Sequence, residues 1–374
     1  MPALPLALLA ALALACRPAG GGGGATAVPG ASRPLDGEAA EPPPLPPLGA
    51  LGPAAPGEWA VRSFLPGPSA DTITLKSREE GFALAGTIVQ ASARTAMICY
   101  QNGGPYRGIR LADSILRVEP GTLPLDRSYW GLRGYDVVDL WLERVEIAGF
   151  GAVTPKHDEG HAIYLNLAGP LTLEGCVIHH NGGQGLQLVN RPKESVLPPG
   201  PAAGAIAIRR SAFRENGFNP DRGATQVSIF GTGQAILLED VEIVAGRDGT
   251  PFPGGRTGGA LLIEAEAPDG QRPVWWRPAE GGAEEEIPFA QGRCELIRVR
   301  IDHADPNRPL VQIKGCAELV VRDCRFAGGR VEIDLPGKPG RDCGRIEWEG
   351  NGGPAEVFVR GRRMGSAAQD FVIE

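Results

Sequence analysis

The sequence has no run of clustered Lys or Arg. Its 374 residues include 37 basic and 44 acidic ones, a formal charge of −7. A nucleic-acid partner is not expected, because neutralising phosphates takes grouped cations. A mildly acidic surface also gives no general attraction for acidic polymers; such affinity must come from local cations. No C-x-x-C pair occurs among the seven cysteines, which argues against a structural zinc site. No segment sustains helical apolar spacing, so helices are not expected to build the fold. What the chain does have is glycine and proline, 54 and 35 residues, concentrated at its front and in a few loops. With 42% hydrophobic residues, the rest can bury a large core.

The front reads as an address. The apolar stretch Leu4 to Ala15 is too short to span a bilayer but fits a signal-peptide core. Leu12-Ala13-Leu14-Ala15-Cys16 resembles a bacterial lipobox, which implies lipidation of Cys16 and a membrane anchor. Ala13-x-Ala15 also fits an ordinary signal peptidase site that leaves Cys16 free, so both readings stand. Residues 17–57, with Gly20 to Gly24 and the run EPPPLPPLG, have too few apolar anchors to offset their ordering entropy. The expected organisation is a signal peptide over 1–15, a disordered linker over 16–57 and one folded domain over 58–374. The protein is expected to be exported, in the cell envelope or secreted, and monomeric.

The body contains a repeat. The pattern φ-x-φ-x-x-φ-x-φ, with φ apolar, recurs six times. Its positions are Leu140, Leu142, Val145 and Ile147, then Leu171, Leu173, Cys176 and Ile178. They recur at Ile206, Ile208, Ser211 and Phe213, and at Ile236, Leu238, Val241 and Ile243. The last sets are Cys294, Leu296, Val299 and Ile301, then Leu319, Val321, Cys324 and Phe326. Only Ser211 breaks the apolar rule. The step from Ile236 to Cys294 is long enough for two turns, or for one turn carrying a large loop. A second alternating strand lies between units, with inward pairs Ile163 and Leu165, Leu186 and Leu188, Val227 and Ile229, Leu261 and Ile263, Val311 and Ile313, and Val331 and Ile333. Period-2 alternation repeated in this way predicts a coil of short parallel strands, each turn buried on its neighbours.

The run GHAIYLNLAGPLTLEGCVIHHNGGQGLQL, Gly160 to Leu188, resembles the repeats of the pectate lyase superfamily, and the likeness covers roughly residues 70–360. It implies an all-β fold, a right-handed single-stranded parallel β-helix (a solenoid). Asn181 and Asn216 each lie three residues past the last apolar position of their units. They read as stacked asparagines that satisfy bends, with substrate contact as the other role.

Cys176, Cys294 and Cys324 fall at inward positions and read as small buried hydrophobes. Cys316 and Cys343 each precede the first apolar position of a unit by three residues, which stacks them on adjacent turns. Strand spacing of about 4.8 Å is within disulfide reach, so a Cys316–Cys343 bond is expected in an exported protein.

The superfamily resemblance implies a polysaccharide partner and a cleft along one sheet, flanked by the loops that lengthen. Here the excursions 149–160, 190–204, 246–258 and 265–291 flank the second strand. Its outward residues are expected to be Tyr164, Gln187, Ser228, Leu262, Gln312 and Glu332, with His161, Asn166, Arg191, Glu264 and Lys314 at strand ends. This mixed strip is the candidate binding site, with Tyr164, Asn166, Gln187, Ser228, Glu264 and Gln312 as substrate contacts. Trp275 and Trp276, in the longest loop, suit stacking on sugar rings, or else pin that loop to the coil. The cluster His157, Asp158, Glu159 and His161 supplies a general base or cation ligands, or is a solvated loop. No metal site and no cofactor are assigned, with calcium left open.

Where the polygalacturonases carry a double aspartate this chain has Gly183 and Gln184, and only Gln312, Ile313 and Lys314 echo their Arg-Ile-Lys strand. Hydrolysis by paired carboxylates is not expected. The lyase members use an Arg or Lys base beside a group that neutralises a carboxylate, for which His161, Arg191, Lys193 and Lys314 are the candidates. The expected function is binding, and cleavage of lyase type, of a polysaccharide. The alternative is a non-catalytic structural or adhesion scaffold.

Overall fold

The computed structural model describes residues 69–70, 73–75, 81–91, 95–99, 105–118, 130–151, 160–167, 169–189, 205–217, 225–230, 235–245, 259–264, 275–276, 285–286, 291–303, 309–336 and 342–374. Cys16, the leader and linker, Arg191, Lys193 and most of the four excursions lie outside these residues. Among the described residues there is no helix. The strands form an all-β parallel solenoid in which three faces run the length of the coil.

The first face stacks Ile73–Leu75, Thr95–Cys99, the start of Trp130–Glu143, Ile163–Leu167, Leu186–Val189, Val227–Phe230, Leu261–Glu264, Pro309–Lys314, Arg330–Ile333 and Glu356–Val359, all in parallel. The second face holds Leu171–Glu174, Ile206–Arg209, Ile236–Glu239, Gln291–Ile297, Cys316–Arg322 and Arg345–Glu349. The third holds Glu146–Ala148, Val177–His179, Ala212–Arg214, Glu242–Ala245, Arg300–His303 and Arg325–Ala327. Alternation decides which side chains enter the coil. Ile163 and Leu165 stack on Leu186 and Leu188, and the later pairs follow in the same register, all fully or almost fully buried. Each such side chain contributes about 1.5–3 kcal/mol by leaving water. Ile236 pairs directly with Cys294. The long step in the repeat is therefore one coil carrying an excursion, and part of that excursion is a short antiparallel ribbon in which Trp275 pairs with Glu286 and Trp276 with Glu285.

The corner between the second and third faces is a column of left-handed residues. Gly86, Asp113, Arg144, Gly175, Arg210, Asp240, Arg298, Asp323 and Gly350 all have φ between 48° and 65°. Side chains other than Gly adopt this conformation at a cost of about 1–3 kcal/mol, here offset by ion pairs along the column. Arg144 grips Asp113 at 2.5 and 2.8 Å, and Arg298 grips Asp240 at 2.7 and 2.8 Å. Every corner but the last passes its amide to the strand end of the next coil, as Arg144 does to the Glu174 carbonyl at 2.7 Å and Gly175 to that of Arg209 at 3.0 Å, while the Gly350 amide donates to the Asp370 carboxylate at 2.9 Å. Ser211, the polar exception in the repeat, is satisfied there. Its hydroxyl donates to the Arg209 carbonyl at 2.7 Å and accepts the Cys176 amide at 3.0 Å.

The six cysteines among the described residues are buried thiols. Cys316 and Cys343 do stack on adjacent coils, with their thiols in hydrogen-bond contact, but the expected bond is not formed and Cys294 also reaches Cys316. Beyond Ile333 the coil continues through Arg345–Glu349 and Glu356–Val359. It is then closed by antiparallel strands, Arg362–Ser366 on Glu356–Val359 and Phe371–Ile373 on Arg345–Glu349. Trp348 is sandwiched between Phe326 at 5.0 Å and Phe371 at 5.7 Å, and its indole donates to the Ala367 carbonyl at 2.8 Å.

Candidate functional site

The outward row of the first face runs Thr74, Ile98, Arg133, Tyr164, Gln187, Ser228, Leu262, Gln312, Glu332 and Phe358, each paired with the next. The outward residues expected from alternation all lie on this row. Arg133 continues it one coil earlier.

The row is not uniform. In its early part Arg133 lies over the Trp130 ring at 4.3 Å and near the Tyr135 ring at 5.4 Å, and donates to the Tyr135 hydroxyl at 2.6 Å. Its Nε is buried and, among the described residues, has no hydrogen-bond partner. Tyr135 meets Tyr164 edge-on at 6.4 Å, and Tyr164 stacks on His161 at 5.9 Å and 17°. The Gln184 amide donates to His161 Nδ1 at 2.9 Å, so the neutral ring carries its proton on Nε2. Gly183 makes room for that ring: a Cβ there would lie 2.5 Å from the Gly160 carbonyl and 2.7 Å from His161 Nδ1. Four aromatic or imidazole rings and one guanidinium thus share one stretch of the strip.

Further along, Ser228 is fully buried and its hydroxyl has no partner among the described residues. The far end is held by side chains of the coil. Gln312 donates to Glu332 at 2.8 Å, and Arg330 pairs with Glu332 at 2.5 Å. Lys314, 5% exposed, pairs in register with Glu264 and reaches Asp342 at 3.6 Å and the Leu335 carbonyl at 3.4 Å. Asn166 is buried beside Tyr135 and Val189. The structure therefore brings His161, Tyr164, Asn166 and Gln187 together and sets Lys314, Glu264 and Gln312 apart from them. From the strand of His161 to that of Lys314 there are four strand steps, about 19 Å at about 4.8 Å each. His161 and Lys314 cannot serve one bond. Arg191, Lys193, His157, Asp158 and Glu159 lie outside the described residues, and only the backbone pairing of Trp275 and Trp276 is described. Among the described residues no three His, Cys, Asp or Glu converge on a metal position.

Sequence reasoning missed the Trp130, Arg133, Tyr135 group. Arg133 precedes Leu140 by seven residues, the spacing by which Tyr164 precedes Leu171. Gly134 hid the match, because it stands where the next coil has Leu165. A Cβ at Gly134 would meet Val137 at 2.6 Å and Leu165 at 2.9 Å, so the neighbours already fill that inward position.

A second polar group was also missed, on the outer side of the third face. His179, Arg214, Glu242 and Asp302 are buried there although alternation points them outward. His179 Nε2 lies 3.1 Å from Glu146 and its Nδ1 2.9 Å from His180 Nδ1, and Arg214 is ion-paired with Glu242. Comparison of the chain with protein-family models, with curated proteins and with solved structures returned no match.

Proposed function

We propose that this is an exported β-helix protein of the pectate lyase-like kind that binds a polysaccharide along its first face. One observation carries the reading. On the outward row of that face Trp130, Tyr135, Tyr164 and His161 are gathered near Arg133. Aromatic faces stack on the apolar faces of sugar rings while neighbouring polar groups hold hydroxyls, and the chain's long excursions flank this row. Cleavage of the eliminative kind is the second half of the proposal, with His161 as its base; calcium is a co-factor only if the test below requires it. The alternative, a display scaffold without chemistry, draws on the burial of Ser228 and Glu332, which shortens the usable strip.

The test is incubation of the full chain with acidic and neutral polysaccharides, with and without calcium. Gel retardation reads binding, and absorbance of an unsaturated uronate reads elimination. Retardation lost in Tyr164→Ala supports the binding reading, and unsaturated product lost in His161→Ala supports elimination. Neither retardation nor product with any polymer would leave the scaffold.

A further inference from the structure

We infer that the bend from His180 to Gln184, which carries the chain from the third face to the first, is an acid-operated latch held at both ends by imidazole lone pairs. At its start His179 Nδ1 and His180 Nδ1 lie 2.9 Å apart, with the two rings at 86°. At its end the Gln184 amide donates to His161 Nδ1 at 2.9 Å. Between these contacts the Gly182 and Gly183 amides donate to the Phe150 and Gly160 carbonyls at 2.6 and 3.0 Å. The latch works on protons alone and needs no ligand.

The contacts fix how many protons the closed bend can hold. A hydrogen bond between two imidazole nitrogens needs one N–H and one lone pair. The His179–His180 contact therefore closes with one proton between the two Nδ1 atoms and cannot close with two. Glu146, 3.1 Å from His179 Nε2, takes the N–H on that side and leaves Nδ1 to face His180. His161 is stricter, because its Nδ1 already accepts an amide and a proton there displaces Gln184. Of the three protons that three open imidazoles take up in acid, the closed bend keeps at most one. Protons favour the state that binds more of them. The closed bend is therefore complete at the alkaline side of the imidazole range and is lost as pH falls through it, from about 8 to 5.

The charged groups around the latch agree with this count. Among the described residues the pair is faced by Arg117 and Glu146 on the preceding coils and by Arg214, Glu215 and Glu242 on the following ones. Glu146 balances one positive charge on the pair. Arg214, in register with His179 and already paired with Glu242, balances none. At the other end Arg133, in register with Tyr164, is the charged residue of the preceding coil's outward row. His161 stacks on Tyr164 at 5.9 Å. Opening frees the His161 ring from Gln184 and loosens that stack, so proton uptake behind the first face reaches its outward row within one bend.

The experiment is amide hydrogen exchange in the full chain from about pH 8 to 5, corrected for the intrinsic pH dependence of exchange. It is read on the peptide spanning His180 to Gln184, with the strand Leu171–Glu174 as control. Two protons bound on opening raise the open population by up to about a hundredfold per pH unit, and one proton by about tenfold. The parent is expected to exceed the tenfold slope and approach the hundredfold one, while the control stays flat. His161→Asn and His180→Asn keep a hydrogen-bonding group near the Nδ1 position but cannot titrate. Each should lower the slope to about tenfold, and the double variant should abolish it. A parent slope of tenfold or less, or single variants as steep as the parent, overturns the latch. Nitrogen chemical shifts of the histidine rings in the parent guard against variants that fold poorly. At about pH 8 they should show a bare Nδ1 on His161 and one proton between the Nδ1 atoms of His179 and His180. A proton on His161 Nδ1 in the folded protein at that pH overturns the latch without any variant.

Discussion

Asn181 Nδ2 donates to Asn216 Oδ1 at 2.7 Å across two adjacent coils. The contact is one link in a buried chain. The Phe150 amide donates to Asn181, Asn181 also reaches the Ile147 and His179 carbonyls, and Asn216 donates to the Ile178 carbonyl and to Gln226. These are the bends the sequence assigned to structure, and every group named is satisfied inside the protein. Asn216→Ala would strand several of them at about 1–3 kcal/mol each. Chemical denaturation should show an unfolding free energy lower by at least about 1–3 kcal/mol, read as a lower midpoint with an unchanged slope. A variant as stable as the parent would mean that the ladder carries no weight.

The Arg214–Glu242 pair is buried on both sides, at 9% and 5% side-chain exposure. Burying two charges is costly, and their attraction only roughly compensates. Glu242→Gln alone leaves Arg214 charged in a dry site and should destabilise by about 3–5 kcal/mol. Replacing both, as Arg214→Met with Glu242→Leu, should cost far less. Thermal unfolding of the two variants side by side separates the penalty of removing one member from the worth of the pair.

Burial pushes the thiols of Cys176 and Cys324 up to about 12. An unfolded thiol ionises near pH 8.5. The folded state therefore holds protons that the unfolded state gives up, and the stability this provides is complete below about pH 8.5 and is lost as pH rises towards 12. Denaturation midpoints should fall across that window, less steeply in a Cys176→Ala, Cys324→Ala double variant than in the parent. Native protein at pH 8 should resist alkylation at these positions until it unfolds.

Cys316 and Cys343 need only an oxidant to join. Closing their 27-residue separation would stabilise the fold by about 3.5 kcal/mol in the chain-entropy estimate. Peptide mapping after oxidation with glutathione disulfide should recover that crosslink and lose it in Cys343→Ser. Because Cys294 also touches Cys316, a Cys294–Cys316 crosslink in the parent would show that the wrong neighbour wins.

Gly183→Asp would install an acid at the position whose surroundings resemble the double-aspartate site of the polygalacturonases. The new side chain starts 2.5 Å from a backbone carbonyl and 2.7 Å from the His161 ring, and overpacking of this kind costs about 1–3 kcal/mol. Lower stability, with loss of any binding that depends on His161, is the expected result; a gain of hydrolysis would contradict it.

The coil was legible because its inward positions obey two simple rules, apolar character and period 2, from Leu140 to Ile333. The same rules gave the outward row from Tyr164 to Glu332. They failed where an inward position is filled by a neighbour, as at Gly134, so that Arg133 was missed. They also failed where polar residues face out and are buried, as at His179 and Glu242, because alternation gives direction but not what covers a face. The left-handed column was invisible for a different reason. Asp, Arg and Gly serve there interchangeably, since each position is fixed by the backbone ladder and only afterwards matched for charge. The antiparallel strands after Val359 that close the coil were not foreseen, because they break the period.

The left-handed column makes the coil a module that can be gained or lost only whole. Each corner residue but the last hands its amide to the next coil, so a cut of any other length would leave the hydrogen-bond column out of step. Excising one complete coil between Gln187 and Gln312 would keep every rung matched and bring the Arg133 and Lys314 ends closer by one strand spacing, about 4.8 Å. Evolution, or an engineer, can therefore set the length of this surface in fixed increments, as on a ruler, without redesigning the core that supports it.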